Sequence, residues 1–220
     1  MRITYEQIRQ SEEINTYIAQ ADASLLALGF TEHSFAHVAR CAEMASGLLR
    51  DLGYSDREVE LAKIAGYMHD IGNVVNRHDH AISGATMAFR ILDNMGMEPA
   101  DVAAVITAIG HHDDKTAFPV NAVAAALILA DKTDVRRSRV RNKDMATFDI
   151  HDRVNYSVER SEVLLDVPGR TVTLSLSINT QVCAVMDYFE IFLQRMLLCR
   201  RAAEALELKF RLEINGQILL

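Results

Sequence analysis

Apolar residues recur at helical spacing through the first two thirds of the chain and alternate with polar ones in a short stretch further on. Ile8, Ile14, Tyr17, Ile18, Ala21 and Leu25 form one face behind the capping box Thr4-x-x-Gln7, and Gly29 ends that helix. A second helix is predicted over Glu32–Leu52, before Gly53. Ser55-x-x-Glu58 opens a third, which runs into Met68-His69-Asp70. After a loop carrying His78 and His80, helices are predicted near Ile82–Met95 and Pro99–Gly110. Asn121 caps a helix that is apolar all round from Ala122 to Ala130 and ends at Asp131-Lys132.

Past Arg137 the texture changes. Arg136, Arg137, Arg139, Arg141 and Lys143 form a basic run that suggests a linker or exposed turn. Val172, Leu174, Leu176 and Ile178 alternate with Thr and Ser as in a half-buried strand. Val154–Asp166 is the expected partner strand, joined through Pro168-Gly169. One amphipathic helix is predicted over Thr180–Leu206, about 40 Å long at the α-helical rise. A hairpin at Asn215-Gly216 closes the chain. The expected fold class is mainly α: a helical bundle over residues 1–140 and a small α+β region over residues 150–220. The apolar face around Phe189, Phe192, Met196 and Leu197 needs another surface, and a homodimer is one expected way to cover it.

Composition narrows the class. The chain has 220 residues, half of them hydrophobic, enough for a sizeable core. No apolar run approaches a bilayer span and the start lacks a signal-peptide pattern, so the expectation is a cytoplasmic protein with no membrane partner. Cys41, Cys183 and Cys199 lack metal-site or disulfide spacing. A net charge of -7 argues against an extended nucleic-acid surface. It is compatible with a small anionic substrate, because bound cations reverse the local field.

Six of the 8 histidines belong to one ordered set with two aspartates: His33, His37, His69-Asp70, His80, His111-His112 and Asp131. His33 and His37 are one helical turn apart. On a helix His69 and Asp70 diverge by about 100°, which suits a carboxylate shared by two metals and an imidazole given to one. Two consecutive imidazoles at 111–112 in apolar surroundings would be costly without partners. Asp131 follows nine apolar residues, so a cation is its natural partner. Imidazole and carboxylate donors favour Fe, Mn, Ni, Co or Zn over calcium. Two such ions would bind a phosphate and acidify a water between them, so no Ser or Cys nucleophile is required.

His37-Val-Ala-Arg40-Cys41-Ala42 is similar to the H-x-x-R-V-A helix of the HD-domain metal-dependent phosphohydrolase superfamily. His69-Asp70-Ile71-Gly72 resembles its HDIG motif, and Asp131 in Ala-Asp-Lys its closing aspartate. The resemblance covers roughly residues 20–137 and implies a helical HD domain whose core ligands are His37, His69, Asp70 and Asp131. It further implies His80 and His111 as ligands of a second ion, with His33 and His112 matching positions that bind a third in some relatives. Many HDIG relatives carry a phosphate-contacting Lys where this chain has Asn73, which leaves Lys132 and Arg136 as the alternative phosphate contacts. The resulting expectation is hydrolysis of a phosphate ester, plausibly a nucleotide, at a dinuclear centre served by Asp70, His69 and Lys132. The alternatives are a regulatory or ligand-binding module and a di-iron oxygenase.

Overall fold

In the computed structural model, which describes residues 2–219, the predicted helices of the first two thirds are present, but the first is broken into two at Ser11, whose side chain caps the second piece, and the helix expected from Glu32 begins at Phe35. Helices α1 (Tyr5–Gln10) and α2 (Glu12–Ala27) lead into α3 (Phe35–Asp51) and α4 (Asp56–Met68). After a short 3-10 turn at Ile71–Val74 come α5 (His80–Asn94), α6 (Pro99–Gly110) and α7 (Ala122–Lys132). Both capping boxes form, and Asn121 Oδ1 accepts the Ala124 amide at 2.8 Å. Because α7 is apolar on all sides, it is buried throughout Val123–Ala130, in contact with α3, α4 and α6.

The close approach of α3 to α4 depends on one residue. A Cβ on Gly66 would lie 2.7 Å from the Ala42 Cα, so only glycine lets these backbones pack at this distance. Gly72 plays the same part in the 3-10 turn, where a Cβ would fall 2.0 Å from the His80 carbonyl oxygen. Both glycines lie beside the His-Asp motif, and together they press three segments around it.

The remaining third holds α8 (Ile150–Ser157), α9 (Val185–Ala205) and strands β1 (Val158–Asp166), β2 (Thr171–Ile178), β3 (Lys209–Ile214) and β4 (Gln217–Ile218), in sheet order β1-β2-β3-β4. β1 and β2 pair antiparallel, whereas β2 and β3 pair parallel, with α9 as the crossover between them. Asn215 and Gly216 both take positive φ, as a two-residue hairpin requires, and β4 pairs antiparallel with β3.

Three expectations are corrected here. The strand expected from Val154 begins at Val158, because Asp149 accepts the Asp152 amide and caps α8 through Ser157. The helix expected from Thr180 begins at Val185, because Asn179 accepts the amides of Gln181, Val182 and Cys183 in a turn. Its 21 residues span about 31 Å at the α-helical rise. The basic run is no exposed linker: Arg139 is buried and donates to the carbonyls of Glu32 and Asp134. The apolar face of α9 lies against α7 and β3, burying Phe192, Met196 and Cys199 within the chain. Phe189 and Leu197, the other two residues of the face that suggested a homodimer, stay half-buried.

Candidate metal centre

Ser34 caps α3 by accepting the Ala36 amide at 3.3 Å, which puts His37 in the first turn rather than in mid-helix. His69 closes α4, and Asp70 begins the turn after it. The close packing at Gly66 brings the His37 and His69 rings to a centroid distance of 5.2 Å. Asp131, in the last turn of the apolar α7, completes the group. His37 Nε2 lies 3.4 Å from Asp131 Oδ1 and 3.6 Å from Asp70 Oδ2, and His69 Nε2 lies 3.3 Å from Asp70 Oδ2.

A second group adjoins the first through the other oxygen of Asp70. His80, the first residue of α5, has its Nε2 3.6 Å from Asp70 Oδ1. His112 Nε2 lies 4.0 Å from the same oxygen and 3.1 Å from His80 Nε2. Thus Asp70 turns Oδ2 to one pair of imidazoles and Oδ1 to another.

The four imidazoles share one orientation. Their Nδ1 atoms meet Asp134 Oδ2 (His37, 2.7 Å), the Gly66 carbonyl (His69, 2.8 Å), the Arg77 carbonyl (His80, 3.1 Å) and the Ile109 carbonyl (His112, 2.6 Å). Each Nδ1 therefore carries a proton, and each Nε2 presents a lone pair to the cluster. Donors around an ion at about 2.0–2.2 Å stand roughly 3.0–3.5 Å apart, close to the separations seen. His69 Nε2 is buried and has no hydrogen-bond partner among the described residues. Two Nε2 lone pairs 3.1 Å apart at His80 and His112 also require a proton or cation between them. The residues present fit divalent metal.

Burial would lower the His69 imidazole, but Asp70 and Asp131 raise it above its ordinary value, as two carboxylates facing no metal cation would. Burial would raise the Asp70 carboxyl, but His69, His33 and His80 hold it well below its usual range. Burial likewise opposes ionisation of Asp131, and the Lys132 ammonium beside it dominates and keeps it an anion. The His112 imidazole is pushed well below its ordinary value by burial and by His69, so it is a neutral donor.

The other sequence candidates fall in different places. His33 precedes the α3 cap; its ring stands 5.5 Å from that of His37, and its Nδ1 meets the Thr31 carbonyl at 2.7 Å. His111 does not reach the cluster. It ends α6 half-exposed and lines a shallow groove with Phe89, because consecutive residues at a helix end diverge. Asn73 is buried and donates to Asp70 Oδ1 at 2.8 Å. Lys132 pairs with Asp131 at 2.7 Å and with Asp114 at 3.0 Å. Arg136 is bound to Asp134 at 2.7 Å and to Glu32 at 3.2 Å.

A cavity of about 340 Å³ opens over Asp70, His80 and Asp131. Its wall includes Arg77 from the loop before α5 and Phe192 and Arg195 from α9. Sequence reasoning missed Arg77, Asp114, Asp134 and Arg195. Asp134 had a faint signal, three residues after Asp131 at a helix end. Arg195 had none, since it reaches the wall through Asp114, 2.9 Å away and 81 positions earlier.

A sequence model of the HD domain matches residues 34–190, well over half of the chain. The chain belongs to the HD domain family. That membership places it in the metal-dependent phosphohydrolase superfamily, and the buried His/Asp cluster is compatible with a metal site. The match runs beyond the histidines through β1 and β2 into α9. An uncharacterized protein of Methanocaldococcus jannaschii is 24% identical over 185 residues, covering 74% of this chain and 71% of that protein. Among the described residues, no helix is long and apolar enough to cross a membrane.

Proposed function

We propose that this HD protein hydrolyses a small phosphate ester, with nucleotides among the candidate substrates, using two divalent metal ions. In this reading His37, His69, Asp70 and Asp131 hold one ion, and Asp70, His80 and His112 the other. The observation that carries it is the common anchoring of four imidazoles through Nδ1, with four Nε2 atoms converging on the two oxygens of one aspartate. Nitrogen and oxygen donors suit Fe, Mn, Ni, Co or Zn. Ions held there would supply Lewis acidity and acidify a water toward neutrality.

The chain's own groups then have separate tasks. Asn73 orients Asp70, and Asp134 fixes the tautomer of His37. The Lys132 ammonium, kept charged by Asp131 and Asp114 against the effect of burial, is a positive group beside the substrate cavity. Residues 1–140 contribute the ligands, and residues 150–220 contribute the Phe192 and Arg195 part of the cavity wall. A cavity of about 340 Å³ suits a small molecule rather than a polymer.

Metal analysis of the purified protein, followed by a phosphate-release screen over phosphorylated metabolites with added manganese, tests the proposal. Two ions per chain and release of inorganic phosphate are expected. A metal-loaded protein that releases phosphate from no ester would overturn it.

A further inference from the structure

The cavity wall carries four permanent cations, and they differ in what already neutralises them. Lys132 is held between Asp131 and Asp114. Arg195 is bound to Asp114 at 2.9 Å. Arg139 faces Asp134 at 3.6 Å and donates to two backbone carbonyls. Arg77 is different: among the described residues it has no carboxylate within ion-pair distance.

Its position is nevertheless fixed. The Asn73 amide nitrogen donates to the Asp70 carboxylate at 2.8 Å and to the Asp70 carbonyl at 3.0 Å. That sets the amide, so its oxygen points the other way and accepts from Arg77 Nη1 at 3.1 Å. The guanidinium lies over the Phe30 ring, 5.5 Å from its centroid. A neutral acceptor and an aromatic face thus hold a guanidinium whose charge and remaining N–H donors are uncommitted. Through Asn73 it is one side chain away from Asp70, and both Arg77 and Asp70 face the cavity.

We infer that Arg77 is the residue that grips the substrate's phosphate group, with Asn73 as the positioning residue that couples it to Asp70. This rests on the phosphohydrolase reading for its substrate class. The chemistry suits a phosphoryl dianion: the planar guanidinium offers paired donors to two phosphate oxygens, where an ammonium offers a point charge. Phe30 restricts the side chain, so less freedom is lost when the anion binds.

Calorimetric titration of inorganic phosphate into the metal-loaded full-length chain tests this directly. Arg77→Gln should weaken phosphate binding about 10- to 100-fold, the range for a hydrogen bond to a charged group. Arg77→Lys should fall between the two, keeping charge but not the paired geometry. Arg90→Gln, on the exposed face of α5, should match wild type. Metal content and urea midpoint should be unchanged in all three. For any ester the protein hydrolyses, Arg77→Gln should raise KM more than it lowers kcat. Equal phosphate affinity in wild type and Arg77→Gln overturns the inference, as does loss of metal in Arg77→Gln, which would make Arg77 a support for Asp70 instead. Phosphate binding that depends on Arg77 in a protein that hydrolyses no ester would uphold the anion site and remove the hydrolase reading.

Discussion

The Asp134 carboxylate meets His37 Nδ1 at 2.7 Å, and that contact decides which nitrogen of the imidazole faces the cluster. Burial would raise the Asp134 carboxyl, but the His37 hydrogen bond and the guanidinium groups of Arg139 and Arg136 hold it well below its usual range. It is a permanent anion, so His37 keeps its proton on Nδ1 and its lone pair on Nε2.

Asp134→Asn should therefore weaken metal binding about 10- to 100-fold, the usual cost of losing a partner that orients a ligand. Chelator competition measures it. Wild-type affinity in Asp134→Asn would show that the tautomer is fixed by something else.

The two neighbouring histidines at the end of α6 should separate cleanly. His112→Ala should reduce the metal stoichiometry by about one ion per chain, because its Nε2 stands with His80 beside Asp70. His111→Ala should leave stoichiometry unchanged. The reverse result would mean that the end of α6 is turned the other way.

Gly66→Ala places a methyl group 2.7 Å from a backbone carbon of α3. The helices must move apart, at a cost of about 1–3 kcal/mol measured by urea unfolding. Because His37 and His69 lie on the separated helices, metal affinity should fall as well. An unfolding midpoint equal to wild type would show that α3 and α4 are less tightly apposed.

Asp114 should make acid stability pH-dependent. Burial would raise its carboxyl, but Lys132 and Arg195 lower it below the ordinary value. Its contribution is thus complete above the unfolded carboxyl pKa of about 3.9 and disappears as pH falls through the lower folded value. In chelator-treated protein, the difference in unfolding free energy between wild type and Asp114→Asn should be flat from about pH 5 to pH 8 and shrink below about pH 4. A difference that persists undiminished at the acid end would refute this pairing.

Sequence was most legible where local chemistry punctuates the chain. Pro99 and Gly110 mark the two ends of α6, the capping boxes open α1 and α4, and Asn215-Gly216 makes its hairpin. The His37, His69, Asp70, His80 and Asp131 grouping was legible from the ordered run of His and Asp and its resemblance to the HD motifs. What was missed depends on partners far away in sequence. The parallel pairing of β2 with β3, the burial of Arg139 against Glu32, and the reach of Arg195 to Asp114 leave no local trace. The choice between His111 and His112 is a matter of rotation at a helix end, where spacing alone cannot fix the angle.

All six members of the His/Asp cluster lie between His37 and Asp131, whereas the cavity above them is finished by Phe192 and Arg195 on α9. During synthesis the ligands therefore leave the ribosome well before the last wall of the cavity does. Pairing β2 with β3 across α9 is a long-range closure, the slow kind of folding event. The ligand set of the proposed ions and the last wall of the cavity are thereby completed at different times.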